Sequence, residues 1–240
     1  MPKRNEFGQP LWLKKLIFQI MGNFTRRRLI GFNSLEVTGS DVLLNLPQEN
    51  VLFVSNHETI FTDVIATYHV FFATLSGQLN SIQKRGYLKD PKLNVYFVAA
   101  RETMNRGLLP KIFKLAGAVT VDRTWKDGDN LINRKVNLDD TKTIGEAIKN
   151  GWVITFPTGT TSKGAPVRKG TAHIIKQYQP AVVPVRINGF REAFDKTGLK
   201  IKRKGVSLSI DFGKPIHIDF EKDSINEVVK SIEDKISQNE

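Results

Sequence analysis

Two hydrophobic rhythms divide the chain. In PLWLKKLIFQIMGNF, residues 10–24, Leu13, Leu16, Ile17, Ile20, Met21 and Phe24 recur at the three-and-four spacing of a helix, and Trp12 and Phe18 widen the apolar face. From Glu49 onward short β-branched and aromatic runs take over: VLFVS (51–55), NVYFVAA (94–100), GAVTVD (117–122), WVITFP (152–157) and AVVPVRI (181–187). Uninterrupted apolar runs of this length suit strands buried on both faces, and the stretches between them are long enough for crossover helices. Helices are predicted over 64–76, 106–116, 139–150, 169–178 and, at the end, 222–236. The alternating segment VSLSIDFGKPIHIDF (206–220) predicts a late strand or pair of strands, at a sheet edge where Pro215 is tolerated. The fold class is therefore α/β: a single domain with a mixed, mostly parallel central sheet flanked by helices, preceded by an N-terminal amphipathic helix. Residues 1–34 form the helical region and 35–240 the main domain.

Charge changes the reading of the first helix. The 240 residues include 36 Lys+Arg against 24 Asp+Glu, a net charge of +12 that points to anionic partners. Through Ser34 the basic residues are Lys3, Arg4, Lys14, Lys15, Arg26, Arg27 and Arg28, against the single acid Glu6. A basic amphipathic helix of this kind either packs its stripe on the domain or lies in a membrane interface with its cations near lipid phosphates. No run of 18 uninterrupted apolar residues is present, so a spanning helix is not expected. The expectation is a peripheral or monotopic protein on the cytoplasmic face of a membrane. Without cysteine there is no thiolate nucleophile and no disulfide framework. His69, His173 and His217 have no partner at metal-ligand spacing, so neither metal nor cofactor is implied. Nucleic acid is not an expected partner, because zinc spacing, RNA-recognition aromatics and basic heptads are all missing.

Candidate chemistry gathers where VLFVS stops at Asn56-His57. In α/β sheets, ligands meet the loops beyond the carboxyl ends of strands. A histidine there has the proton affinity of a general base, and a carboxylate that fixes its tautomer completes the pair. Asp63 is the candidate orienter and Glu58 its rival. Five residues separate His57 from Asp63, and on a continuous helix at about 100° per residue the two would point some 120° apart. A loop must therefore lie between them, with the helix beginning near Thr62 and Asp63 in its first turn. Phe61, Phe71, Phe72 and Phe113 read as core, with a second use as the wall of an apolar tunnel left open.

NHETIFTD resembles the NHxxxxD signature of the glycerolipid acyltransferases typified by lysophosphatidic acid acyltransferase, with one extra residue. Three further blocks resembling the family's follow in order: GAVTVDR (117–123), FPTGTTS (156–162) in place of FPEGTRS, and RKGTAHIIK followed by VVPVRI. The resemblance implies that His57 and Asp63 are catalytic, supported by Asn56. It places substrate binding at Arg123, Thr158, Gly159, Thr160 and Thr161, with Lys163, Arg168 and Lys169 as neighbouring cations. Thr158 stands where the family has glutamate and Thr161 where it has arginine, which bears on the acceptor.

The implied reaction is transfer of a fatty acyl group from acyl-CoA or acyl carrier protein to the hydroxyl of a lysolipid, foremost 1-acyl-sn-glycerol-3-phosphate, in phospholipid biosynthesis. Backbone amides at a helix start are the expected oxyanion donors. O-acylation of another single-chain lipid, such as an acyl-amino acid, is the alternative acceptor reading, and a non-catalytic lipid-binding homologue the alternative of another class.

Overall fold

The computed structural model of the protein describes residues 3–104, 108–122 and 138–237. Helix α1 (Leu11–Ile30) leads into β1 (Ser34–Thr38), β2 (Val51–Ser55), α2 (Thr62–Leu75), β3 (Val95–Ala100) and the short α3 (Arg101–Met104). There follow α4 (Leu108–Leu115), β4 (Ala118–Val121), α5 (Leu138–Lys149), β5 (Trp152–Thr155), α6 (Lys169–Tyr178), β6 (Ala181–Asn188), α7 (Phe190–Ala193), β7 (Ser207–Phe212) and α8 (Ile225–Ile236). The strands form one seven-stranded sheet in the order β1-β7-β6-β2-β5-β3-β4. Among the described strands, the β6–β7 pairing alone is antiparallel. The predicted α/β architecture with a mostly parallel sheet is thus observed.

The unbroken apolar run of β2 has a direct cause. It lies between β5 and β6 and is covered on both faces. Val51 and Phe53 join a cluster with Phe18 and Leu29 of α1 and Phe71 of α2. Leu52 and Val54 point the other way, against Ile144 of α5, Ile175 of α6 and Ile232 of α8. Alternate residues of one strand thereby enter two separate cores. Helix α8 starts on a capping box between Ser224 and Glu227.

Three expectations change. Of the strand or pair of strands expected over 206–220 one forms, β7, and it lies between β1 and β6 rather than at the sheet edge; after Phe212, Gly213 and Ile216 donate single amides to the carbonyls of Pro184 and Val182, and His217 is exposed on a coil. Strand β1, unanticipated, pairs in parallel with β7 at the sheet edge. Helix α1 is longer than its apolar stripe and carries two apolar faces. Phe18, Gly22, Thr25 and Leu29 are buried against the domain, where a Cβ at Gly22 would come within 2.7 Å of Leu88. Lys14, expected among the lipid-facing cations, is fully buried instead. Its Nζ donates to the Val95 carbonyl (2.7 Å) and lies 4.5 Å from the centre of the Tyr96 ring, and burial lowers its pKa to about 7. Trp12, Leu16, Ile20 and Phe24 face outward, 58%, 41%, 61% and 65% exposed. Among the described residues no helix is long and apolar enough to cross a membrane.

Candidate active site

Strand β2 ends at Ser55, and the side chain of Asn56 closes a two-way amide clasp with the end of β6. Its Nδ2 donates to the Ile187 carbonyl and its Oδ1 accepts from the Ile187 amide, both at 2.8 Å. The clasp fixes the chain direction at the sheet's carboxyl edge and presents His57 beside it. The imidazole stacks on Phe156, ring centres 3.8 Å apart at 17°, at the end of the adjacent β5 segment.

The five intervening residues fold as the spacing requires. Residues 58–61 form a loop, α2 begins at Thr62, and Asp63 sits in its first turn. His57 Nδ1 lies 2.9 Å from Asp63 Oδ2, with the carboxylate fully buried and the imidazole largely so. The carboxylate also accepts from the Glu58 amide (2.7 Å), the Thr59 amide (3.0 Å) and the Thr59 hydroxyl (2.6 Å). The loop thus wraps over the carboxylate. Such a set of donors is what a buried carboxylate needs in place of water. With Nδ1 held by Asp63, Nε2 is the ring nitrogen left to act as a base.

The rival carboxylate has another task. Glu58 Oε2 accepts from the Arg191 amide (2.9 Å), and Arg191 Nη2 donates to the carbonyls of Thr161 (2.8 Å) and His57 (3.3 Å). Arg191, which no sequence signal marked, thus ties the histidine loop to the loop after β5. The stretch 195–201, which no motif marks, also shapes the histidine loop. The carbonyls of Lys196 and Thr197 accept from the amides of Ile60 (3.1 Å) and Phe61 (3.0 Å), and the Thr62 hydroxyl donates to the Gly198 carbonyl. Gly198 has φ +81°, and a Cβ there would fall 2.5 Å from Thr62 Oγ1. The amides of residues 58–61 are therefore all engaged, and the expected oxyanion donors do not come from this loop.

His57 opens onto a cleft of about 280 Å³, lined also by Phe97, Asp122, Thr160, Thr161, Arg168 and Lys196. Gly159, with φ +65°, turns the loop so that its backbone passes beside the Arg168 guanidinium. Of the other candidates, Thr158 donates its hydroxyl to the Thr160 carbonyl, while Lys163 and Lys169 are exposed and do not line the cleft. Arg123 lies outside the described residues; the preceding Asp122 is held by Arg101 (3.3 Å) and donates its amide to Asp140. Phe97 is shared with an apolar cavity of about 60 Å³ between α1, α2 and α4, whose walls include Ile17, Met21, Val64, Phe72 and Phe113. Phe61 stacks on Phe113 at 4.2 Å, and all four candidate phenylalanines are buried core. His69 is buried between Thr25 Oγ1 and the Tyr87 hydroxyl, both 2.8 Å away, and burial with nearby Arg26 lowers its pKa to about 3. It is a neutral structural link between α1 and α2. His173 is exposed on α6. No group of acidic and histidine side chains among the described residues is arranged to hold a metal ion.

A family model described as Acyltransferase matches residues 34–188, which is more than half of the chain and takes in the histidine loop, the cleft and the end of β6. The chain belongs to the acyltransferase family. A curated member, a 1-acyl-sn-glycerol-3-phosphate acyltransferase from Cocos nucifera, is 28% identical over 141 residues, which are 56% of this chain and 42% of the coconut protein. The match thus spans less than half the length of that relative. In three dimensions the chain is similar to the 1-acyl-sn-glycerophosphate (LPA) acyltransferase PlsC from Thermotoga maritima, with a TM-score of 0.57 at 19% identity over 92% of this chain and 77% of that one. That similarity establishes a shared fold, and the family's matched region coincides with the strands that carry the cleft.

Proposed function

We propose that this family member transfers a fatty acyl group from acyl-CoA or acyl carrier protein to the hydroxyl of a lysolipid, in phospholipid biosynthesis at the cytoplasmic face of a membrane. The observation that carries the reading is the His57–Asp63 pair at the end of the central strand, facing a cleft with cationic walls. Asp63 holds the Nδ1 proton, and Nε2 takes the proton of the acceptor hydroxyl as its oxygen attacks the thioester carbonyl. The tetrahedral intermediate collapses with loss of the thiolate, which receives the proton back from the imidazolium. No acyl-enzyme is needed. Arg168 and Lys196 supply positive charge to the cleft for the acceptor's anionic head or the developing oxyanion.

Lysophosphatidic acid is the first acceptor to test, on the strength of the family and of the cations. Thr158 and Thr161, in place of a glutamate and an arginine, favour including acyl-amino acid lipids, whose carboxylate also suits a guanidinium. The deciding experiment incubates labelled acyl thioester with a panel of both acceptor kinds. His57→Ala is expected to lower kcat/KM by about 10³-fold and Asp63→Asn by about 10²-fold or more, whereas Glu58→Gln retains most activity. If no acceptor is acylated in a His57-dependent way, yet lysolipid still binds, the non-catalytic reading replaces this one.

A further inference from the structure

Outside the His57 cleft, a second depression opens at the C-terminal end of α1. It has a volume of about 840 Å³ and is lined by Arg26, Arg27, Arg28 and Arg85 together with Phe24, Phe32, Leu199 and Ile201; among the described residues no acid lines it, and Asp195 behind the wall faces Arg28. Two of the arginines are fixed and two are available. Arg26 spends Nε on the Ile82 carbonyl (2.8 Å) and Nη2 on that of Gln83, and Arg28 spends Nη2 on the Leu199 carbonyl (2.7 Å). Arg27 lies 5.5 Å from the centre of the Phe32 ring, and Lys204 approaches that same ring at 4.9 Å. Arg27 and Arg85 are exposed, and neither side chain forms a hydrogen bond or ion pair among the described residues. Guanidinium forks match the oxygens of a phosphate.

The depression is continuous with the exposed apolar stripe. At about 100° per residue, Arg27 projects along the same line of α1 as Trp12, Leu16, Ile20 and Phe24, opposite the buried face of Phe18, Gly22 and Leu29. We propose that this arginine-lined depression binds the phosphate headgroup of an anionic phospholipid in a bilayer whose acyl region receives the Trp12–Phe24 stripe. Charge chooses the occupant's sign, and the stripe chooses a bilayer over a soluble acidic protein: four large apolar side chains in one row gain by immersion, with the cations at headgroup depth. The site also sets orientation. Leu199 and Ile201 wall the depression while Lys196, on the same segment, walls the His57 cleft. A bound headgroup therefore lies across one loop from the His57 cleft.

The test uses the full chain and sedimentation with phosphatidylcholine vesicles, with and without phosphatidylglycerol. The parent binds the anionic vesicles more tightly, and raised salt reduces the difference. Arg27→Glu/Arg85→Glu lowers binding to anionic vesicles by about tenfold or more, since one basic residue at an anionic surface contributes roughly fivefold. Ile20→Ser/Phe24→Ser weakens binding to both vesicle types. Because these side chains are exposed, thermal unfolding and turnover of detergent-dispersed substrate stay at the parent's level. Free inorganic phosphate at the same lipid-phosphate concentration does not displace the protein from vesicles. Unchanged vesicle binding by the arginine variant overturns the proposal, whatever its acyltransferase activity. So does a variant whose only defect is a raised KM for acyl carrier protein but not for acyl-CoA, which would assign the surface to an acidic donor protein.

Discussion

Asp63 does more than orient His57: it is the point on which the histidine loop closes. Two amides, one hydroxyl and one imidazole converge on a carboxylate with no solvent contact. Thr59 is the telling member, because it is fully buried and supplies both an amide and the shortest contact. Thr59→Val keeps the shape and removes the hydroxyl donor, leaving a buried charge one partner short. The expected loss is about 1–3 kcal/mol of stability in urea unfolding, with kcat falling less than for Asp63→Asn. That His57 and Asp63 pair was legible from the resemblance to the NHxxxxD signature, and the spacing added that a loop must lie between them. Arg191, Lys196 and the role of Glu58 were not, since each acts through a segment more than 100 residues distant in sequence.

Helix α1 shows how an element can satisfy two readings of one pattern. Its periodicity alone left open whether the stripe meets the domain or a membrane; the helix packs one face on α2 and the sheet and leaves a second apolar row outward. The seating depends on two buried bases whose protonation is disfavoured. Lys14 has a folded pKa of about 7 against an ordinary 10.5, so between those values the unfolded chain binds the extra proton and stability rises with pH. His69, lowered to about 3, adds stability that is complete above about 6.5 and is lost as pH falls towards 3. Lys14→Met removes the first dependence only. Differential scanning fluorimetry is expected to show the variant melting above the parent near pH 7. The gap then closes by about pH 10, where the neutral lysine keeps its bond to Val95 and the methionine has none.

For the molecule as a whole, the order of the sheet is the decisive fact. Placing β2 between β5 and β6 buries it completely and puts its carboxyl end in the middle of the sheet's edge, where loops from several strands converge. Amide hydrogen exchange is expected to be slowest in β2 and its partners β5 and β6, and faster in the edge strands β1 and β4. Equal protection across all seven strands would contradict this order.

Helices and strands were readable because backbone preference and burial period act over a few residues. The runs at 51–55, 94–100, 152–157 and 181–187 announce themselves as strands, and β2 and β5 are indeed buried throughout. Strand β1 did not, because a five-residue edge strand with one buried side chain leaves almost no period. The apolar rhythm of GKPIHIDF misled for the opposite reason: alternation persists where Pro215 interrupts the ladder and leaves only single amide bonds from Gly213 and Ile216 to β6. By itself, then, the sequence determined the α/β class, the stop at Asn56-His57 and the need for a loop before Asp63, all consequences of local stereochemistry. Only the tertiary structure decided that Lys14 goes inward and Trp12 outward, that Arg28 reaches Leu199 across 171 residues, and that one loop separates the histidine cleft from an arginine-lined depression. Those outcomes depend on which distant surfaces meet, and no short-range pattern encodes that.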